Sequence, residues 1–316
     1  MKKYISILTT IVIVLALIGC RNTSVEENSN TINIEENLIE NPQEISDDTI
    51  EIGNIDVVAS GISGADGIVV DYSGNIFVGS RNTNTIYKID QAGNVTDFAK
   101  VPCEELLCMT IDKENSLYVA GKDKLVKIDK KGDIETLASD FTCADDVRLD
   151  LEGNIYVTDS FENRVYKVTP DLQKSIFIDS DIDQNRLFRG WYITGLTFDK
   201  DYQNLYIAKM KQGLIMKYPL ESDGTAGEPE TVISGLLEPD HLELDSKGNI
   251  YITIFRDGSL VRLDLDGNIQ EICTKAFGYA TGIAFGKIGD DRNYVYIADY
   301  QRGIVYRVFV GEEAAF

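Results

Sequence analysis

The chain has 316 residues, with 30 Lys and Arg against 52 Asp and Glu, a net charge of −22 and a single histidine. That length gives one large domain or two small ones, with a substantial core. The acidic balance excludes a nucleic-acid-binding surface, which needs a dense cationic face. One imidazole excludes His-rich zinc sites and His-pair catalysis within the chain.

Met1 to Cys20 reads MKKYISILTTIVIVLALIGC. Lys2 and Lys3 precede an apolar run from Tyr4 to Gly19, the pattern of a secretory signal, and the run falls short of the ~20 apolar residues of a spanning helix. Leu17-Ile18-Gly19-Cys20 resembles the bacterial lipobox, whose cysteine is lipidated and becomes the new N-terminus. An uncleaved anchor with an incidental cysteine is the alternative. Residues 1–20 are thus expected to be a lipoprotein signal and Cys20 the lipidation site, placing the protein outside the cytoplasm on a membrane. Residues 21–52 hold nine acidic residues, one basic residue and no aromatic one. This composition predicts a disordered acidic tether, with a reach of about 30 Å as a flexible coil.

From residue 53 the chain repeats itself. A hydrophobic strand ends in Asp, a Gly/Asn turn follows, and a second strand carries an aromatic residue. The copies are GIVVDYSGNIFVGS (67–80), MTIDKENSLYVAG (109–121), VRLDLEGNIYVTDS (147–160), LTFDKDYQNLYIAK (197–209), LELDSKGNIYITIF (243–255) and a looser IAFGKIGDDRNYVYIADY (283–300). Gly-Asn between alternating hydrophobic runs is a strong hairpin signal. The anchors Asp71, Asp112, Asp150, Asp199, Asp245 and Gly286 stand 38 to 49 residues apart. Each repeat adds a third strand and five add a fourth. The sixth runs out of chain, but a spare strand, GNIDVVA (53–59), precedes the first repeat. A ring of blades must pair its ends or expose strand edges. The prediction is an all-β, six-bladed β-propeller over 53–316, with its last blade completed by residues 53–59. Period-two alternation rich in Val, Ile and Tyr disfavours a helical solenoid.

The innermost strand of a propeller blade lines the central channel. Five residues before the anchors stand Asp66, Leu107, Asp145, Thr194, Asp240 and Thr281. Blades one, three and five thus each present an aspartate to one axis, where the charges repel. Either water and counter-ions screen them, or a cation neutralises them; carboxylate and hydroxyl oxygens suit Ca²⁺, Mg²⁺ or Mn²⁺. Beside this ring lie Asp146, His241 and Cys108. The longest inter-blade connection, Arg186-Leu187-Phe188-Arg189-Gly190-Trp191-Tyr192, carries the only Trp. Arg189 and Trp191 either clamp an anionic or sugar-like ligand, together with Asp146 and His241, or merely cover blade four. Alternation along a strand predicts that His241 packs behind the ring, on the side opposite Asp240. No G-x-S-x-G elbow supplies a serine nucleophile. One disulfide is expected among Cys103, Cys108 and Cys143, and a buried free thiol at Cys273.

The segment 53–316 resembles the family of senescence marker protein, gluconolactonase and luciferin-regenerating enzyme. Ala65-Asp66-Gly67 falls at its Glu-Gly-Pro and Asp145-Asp146 at its Asn-Asp. Thr194-Gly195 falls at its Asn-Gly and Pro239-Asp240 at its Pro-Asp-Gly. The resemblance implies one divalent cation (Ca, Mg, Mn or Zn) in the channel mouth and hydrolysis of lactones or related esters. Asp66, Asp145, Thr194 and Asp240 would be its ligands, with Asp240 also catalytic. Asp66 shortens the family's Glu, Thr194 replaces an amide oxygen by a hydroxyl, and His241 replaces a Gly. The alternative is a non-catalytic surface propeller that captures a sugar, peptide or protein. It draws on a likeness of Asn154-Ile155-Tyr156-Val157-Thr158-Asp159-Ser160 to NHL-type repeats. Either way the expected partner is a small molecule at the channel mouth of a monomer that meets the membrane only through its lipid.

Overall fold

The computed structural model describes residues 50–180 and 190–315. The signal segment, Cys20, the tether up to residue 49 and Arg189 lie outside the described residues.

The repeated Asp builds the repeated turn. Asp71 Oδ1 accepts hydrogen bonds from the Ser73 and Asn75 N–H groups at 2.9 and 2.8 Å, and Asn75 Nδ2 donates to Oδ2 at 2.8 Å. Asp150 and Asp245 do the same with Asn154 and Asn249. A carboxylate that satisfies two turn N–H groups and an amide at once favours the bend locally. Gly74, between them, sits at φ +79°, a conformation that a side chain would strain.

These hairpins assemble into six four-stranded antiparallel sheets. The innermost strands are Ala65–Val70, Leu106–Ile111, Ala144–Leu149, Leu196–Phe198, Pro239–Leu244 and Ala280–Phe285. The sixth sheet takes its outer strand, Ile55–Ser60, from the start of the propeller and pairs it with Ile304–Phe309. That is the closure expected from the spare strand at 53–59. The core lies between the sheets. Ile76 and Val78 of blade one pack with Ala298 and Val305 of blade six. Tyr156 of blade three meets Phe198 of blade four edge-on at 5.2 Å.

A second regularity is invisible to the repeat pattern. In five innermost strands two residues stand opposite one on the neighbouring strand, a β-bulge. The bulged pairs are Asp66-Gly67, Leu107-Cys108, Asp145-Asp146, Asp240-His241 and Thr281-Gly282. In blades three and five the residue opposite the bulge is a buried threonine that takes up the displaced backbone donor. Asp146 N–H donates to Thr158 Oγ1 at 2.9 Å, and His241 N–H to Thr253 Oγ1 at 3.0 Å. Each hydroxyl then donates at 2.8 Å to the carbonyl of the next blade, Thr158 to Thr194 O and Thr253 to Thr281 O. Thr281 Oγ1, 3.2 Å from Ala65 O, ties the last blade to the first.

One buried cation is also part of the frame. Lys209 is 6% exposed, and its Nζ donates to Asn163 Oδ1 at 3.0 Å and Ser180 Oγ at 2.7 Å. Burial lowers its pKa from the usual 10.5 to about 8. The unfolded chain therefore holds more protons than the folded one between these values, and stability from this group rises with pH across that window. Lys209→Met should stabilise the protein relative to the parent by about 3 kcal/mol below pH 8, less the lost hydrogen bonds. The difference should shrink as pH approaches 10.5, while tyrosines and thiols titrate alike in both proteins. Paired urea melts at several pH values measure it, and a pH-independent difference would rule the assignment out.

Candidate functional site

The bulges set two tiers of residues at one end of the channel. The upper tier brings Asp66, Asp145 and Asp240 to a single cavity of about 40 Å³, lined also by Arg81, Trp191, Met210, His241, Phe255 and Thr281. All three carboxylates are at most 5% exposed. Burial pushes the Asp66 carboxyl up to about 7, with Asp240 adding to the rise and Arg81 and His241 opposing it. Burial likewise raises Asp145 well above the carboxylate range, and the charges of Asp240 and Asp66 add to the shift while His241 opposes it. Ser160 Oγ donates to Asp145 Oδ2 at 2.9 Å and fixes its orientation.

Arg81, which the repeat pattern did not single out, also lines this cavity. It follows directly on the second strand of blade one, and its Nη1 lies 3.9 Å from Asp66 Oδ2. The guanidinium is held from outside by Glu105, at 2.7 Å, and rests over the Trp191 ring at 4.8 Å. Trp191 in turn packs edge-on against Phe161 at 5.4 Å. The tryptophan is thus at the cavity, as a platform for an internal arginine.

Thr194 is committed to the frame. Its Oγ1 lies 3.1 Å from Asp240 O and 3.3 Å from Pro239 O, and it is not among the cavity-lining side chains. Asp146 also lies off the cavity, in the lower tier and fully buried. Its Oδ1 accepts from Arg148 Nη1 at 2.7 Å and from Val147 N–H at 2.8 Å, and its Oδ2 from Leu196 N–H at 2.9 Å.

His241 departs from the alternation rule. It does not pack on the far side of the strand from Asp240 but lines the same cavity, with Nδ1 3.3 Å from Asp240 Oδ2. The bulge at Asp240-His241 is the reason, since two consecutive residues there oppose one partner and strict alternation is lost. Burial works against a charge on this imidazole, but the Cys108 sulfur and the Asp240 carboxylate outweigh it, so its pKa rises well above the usual value. Of the two, Asp240 counts at neutral pH, because burial pushes the Cys108 thiol itself up to about 12.

The expected disulfide does not form: Cys103, Cys108, Cys143 and Cys273 are free thiols. Cys108 and Cys143 are buried in place, and Cys273 is buried as expected.

A larger cavity of about 390 Å³ opens where the innermost strands end, near Val70, Ile111, Leu149, Phe198 and Phe285, with Tyr72, Tyr118 and Tyr202 also lining it. Arg148 lines this cavity and reaches Asp146 of the channel floor. One nitrogen of the guanidinium holds Asp146, and the other holds Glu243 at 3.2 Å and Leu242 O at 3.1 Å. Asp112, Glu114, Asp150 and Glu243 line it too, but Asp150 is engaged by its own turn and Glu243 by Arg148, whereas Asp66, Asp145 and Asp240 meet from three blades at the small cavity.

Comparison with known proteins agrees with this architecture. The chain is 23% identical over 228 residues to a 6-deoxy-6-sulfogluconolactonase of Pseudomonas putida, covering 67% of this chain and 74% of that protein. A gluconolactonase structure from Xanthomonas campestris superposes with a TM-score of 0.69 at 14% identity, over 81% of this chain and 89% of the other. The calcium-binding protein regucalcin of Agrobacterium tumefaciens gives 0.67 at 18% identity, over 82% and 94%. At such identities the two structures establish a shared fold. Residues 104–300, more than half of the chain, match the SMP-30/Gluconolactonase/LRE-like region, and the chain belongs to that family.

Proposed function

We propose that the protein is a metal-dependent lactonase, tethered outside the cytoplasm by a lipid on Cys20, with its active centre at the carboxylate cavity. The observation that carries this reading is the meeting of Asp66, Asp145 and Asp240 on one buried cavity. The donor set is compatible with a hard divalent cation, because it offers carboxylate oxygens from three blades. Among the described residues, its charge is met by Arg81 at 3.9 Å and by His241 behind Asp240.

Asp66, Asp145 and Asp240 would hold the cation, which when bound would polarise a lactone carbonyl and acidify a water. The chain's own part is to orient and to move protons. Asp240, backed by His241 Nδ1, is placed to accept a proton from the attacking water. Ser160 keeps Asp145 turned inward. Arg81, stacked on Trp191, is placed to meet the electron-rich side of a lactone. The substrate class is an aldonolactone or related small ester.

The test is hydrolysis of gluconolactone and related aldonolactones by purified protein, before and after chelation. Activity should fall at least tenfold on chelation and return with Ca²⁺, Mg²⁺ or Mn²⁺. Turnover that chelation leaves untouched would overturn the metal-dependent reading. Stoichiometric sugar binding without turnover would favour a capture protein instead.

A further inference from the structure

The lower tier of the mouth carries six residues, Gly67, Cys108, Asp146, Gly195, His241 and Gly282, one from each blade. The glycines of blades one, four and six bring no side chain, so the channel floor is shaped by Cys108, Asp146 and His241 alone. Their ligand-capable atoms, one sulfur, one carboxylate oxygen and one imidazole nitrogen, all lie within 4.8 Å of one another. All three residues are at most 3% exposed.

A second, independent observation points to a ligand. Neither nitrogen of His241 has a hydrogen-bond partner, although the residue is 2% exposed. Leaving a buried polar atom unsatisfied is costly, so such atoms in a closed interior call for an explanation. Nδ1 is within ion-pair reach of Asp240 at 3.3 Å but is not aligned for a hydrogen bond. The Cys108 sulfur and the Asp146 carboxylate, both within 4.8 Å, are themselves metal-ligand types.

We infer that Cys108, Asp146 and His241 form a second metal site, distinct from the carboxylate ring above it, that takes a borderline-soft dication of the zinc type. The donor chemistry separates the two sites. A thiolate with an imidazole selects Zn²⁺ or a similar transition metal, whereas the all-carboxylate ring suits a hard cation. Ligands around tetrahedral zinc stand about 3–4 Å apart, so the three atoms need close by at most about 2 Å. Coordination displaces the thiol proton of Cys108 and the second ring proton of His241 to solvent, and leaves a fourth position for water. Arg148, at 2.7 Å from Asp146 Oδ1, and the Leu196 N–H, at 2.9 Å from Oδ2, already orient the carboxylate as outer partners do in metal centres.

This inference does not rest on the lactonase reading and is tested separately from it. Purified full-length protein in detergent, stripped of metal, is titrated with Co²⁺ in the presence of excess Ca²⁺. One equivalent should bind and give a thiolate-to-cobalt charge-transfer band in the near ultraviolet, which Zn²⁺ then removes. Cys108→Ser should lose the band and bind Zn²⁺ at least tenfold more weakly, while Cys103→Ser keeps both. Circular dichroism establishes that each variant is folded. The parent spectrum stands as a test by itself should Cys108→Ser not fold. Absence of the band in the parent, or its survival in folded Cys108→Ser, overturns the assignment. Failure of Ca²⁺ to bind or to support turnover would count only against the carboxylate ring.

Discussion

Asp240→Asn is expected to remove divalent-cation binding and to lower kcat/KM for an aldonolactone by more than ~100-fold. Loss of an outer partner of a metal site already costs roughly 10–100-fold, and in the proposed mechanism Asp240 is a direct ligand as well as a proton acceptor. The amide keeps the shape of the side chain and cannot take a proton from water. The fold should survive, because a buried carboxylate that helps to push up the pKa of Asp66 and Asp145 is gone. Thermal stability without metal should therefore hold or increase, while the gain in stability on adding Ca²⁺ disappears. Calorimetric titration with Ca²⁺, a thermal melt and steady-state kinetics on one preparation separate these effects. A variant with normal turnover would remove Asp240 from the chemistry. A variant that loses Ca²⁺ binding but keeps turnover would separate the cation from catalysis.

The propeller was legible because its punctuation is chemical as well as hydrophobic. An Asp that caps its own turn precedes the second strand in five of the six repeats, followed by Gly and Asn in three of them, and Asp71, Asp150 and Asp245 all use it as read. Closure by the strand before the first repeat followed from counting strands. Counting back from the turn also reached Asp66, Asp145 and Asp240, the three carboxylates that the channel brings together. What could not be read was anything that depends on register across strands. The bulge that turns His241 toward Asp240 is a two-against-one pairing, which alternation within one strand cannot reveal. The same bulges bring Cys108 and Asp146 into the channel floor. Arg81 escaped because a position that follows a second strand directly carries no periodic signal. Proximity in blade order suggested a disulfide among Cys103, Cys108 and Cys143, but all three thiols stay free. Thr194 and Thr281 read as channel hydroxyls. Their hydroxyls tie one blade to the next.

Gly195→Ala should destabilise the propeller by about 3 kcal/mol, at the upper end of the usual cost of overpacking a close-packed interior. A Cβ at this position would stand 2.4 Å from Asp240 O and 2.7 Å from His241 Cα, and both are backbone atoms that no rotamer change can move. The strand cannot simply lean away, since Gly195 N–H donates to Asp240 O at 2.9 Å and Thr194 Oγ1 reaches the same carbonyl. Blades four and five would have to separate at the floor of the channel. Gly67 and Gly282 face the next blade in the same way, with Cβ positions 2.5 Å from Cys108 Cα and 2.4 Å from Asp66 O. The floor of the channel is thus closed by glycine wherever it is not built by Cys108, Asp146 or His241. For a domain of this size the loss corresponds to a fall in Tm on the order of 10 °C. The displacement falls on Asp240 and His241 themselves, so turnover should drop by more than the unfolded fraction accounts for. Measuring kcat/KM at a temperature where both proteins are fully folded isolates that part. A Tm unchanged within a degree or two would mean that the blades part without cost, and close approach would no longer explain the glycine.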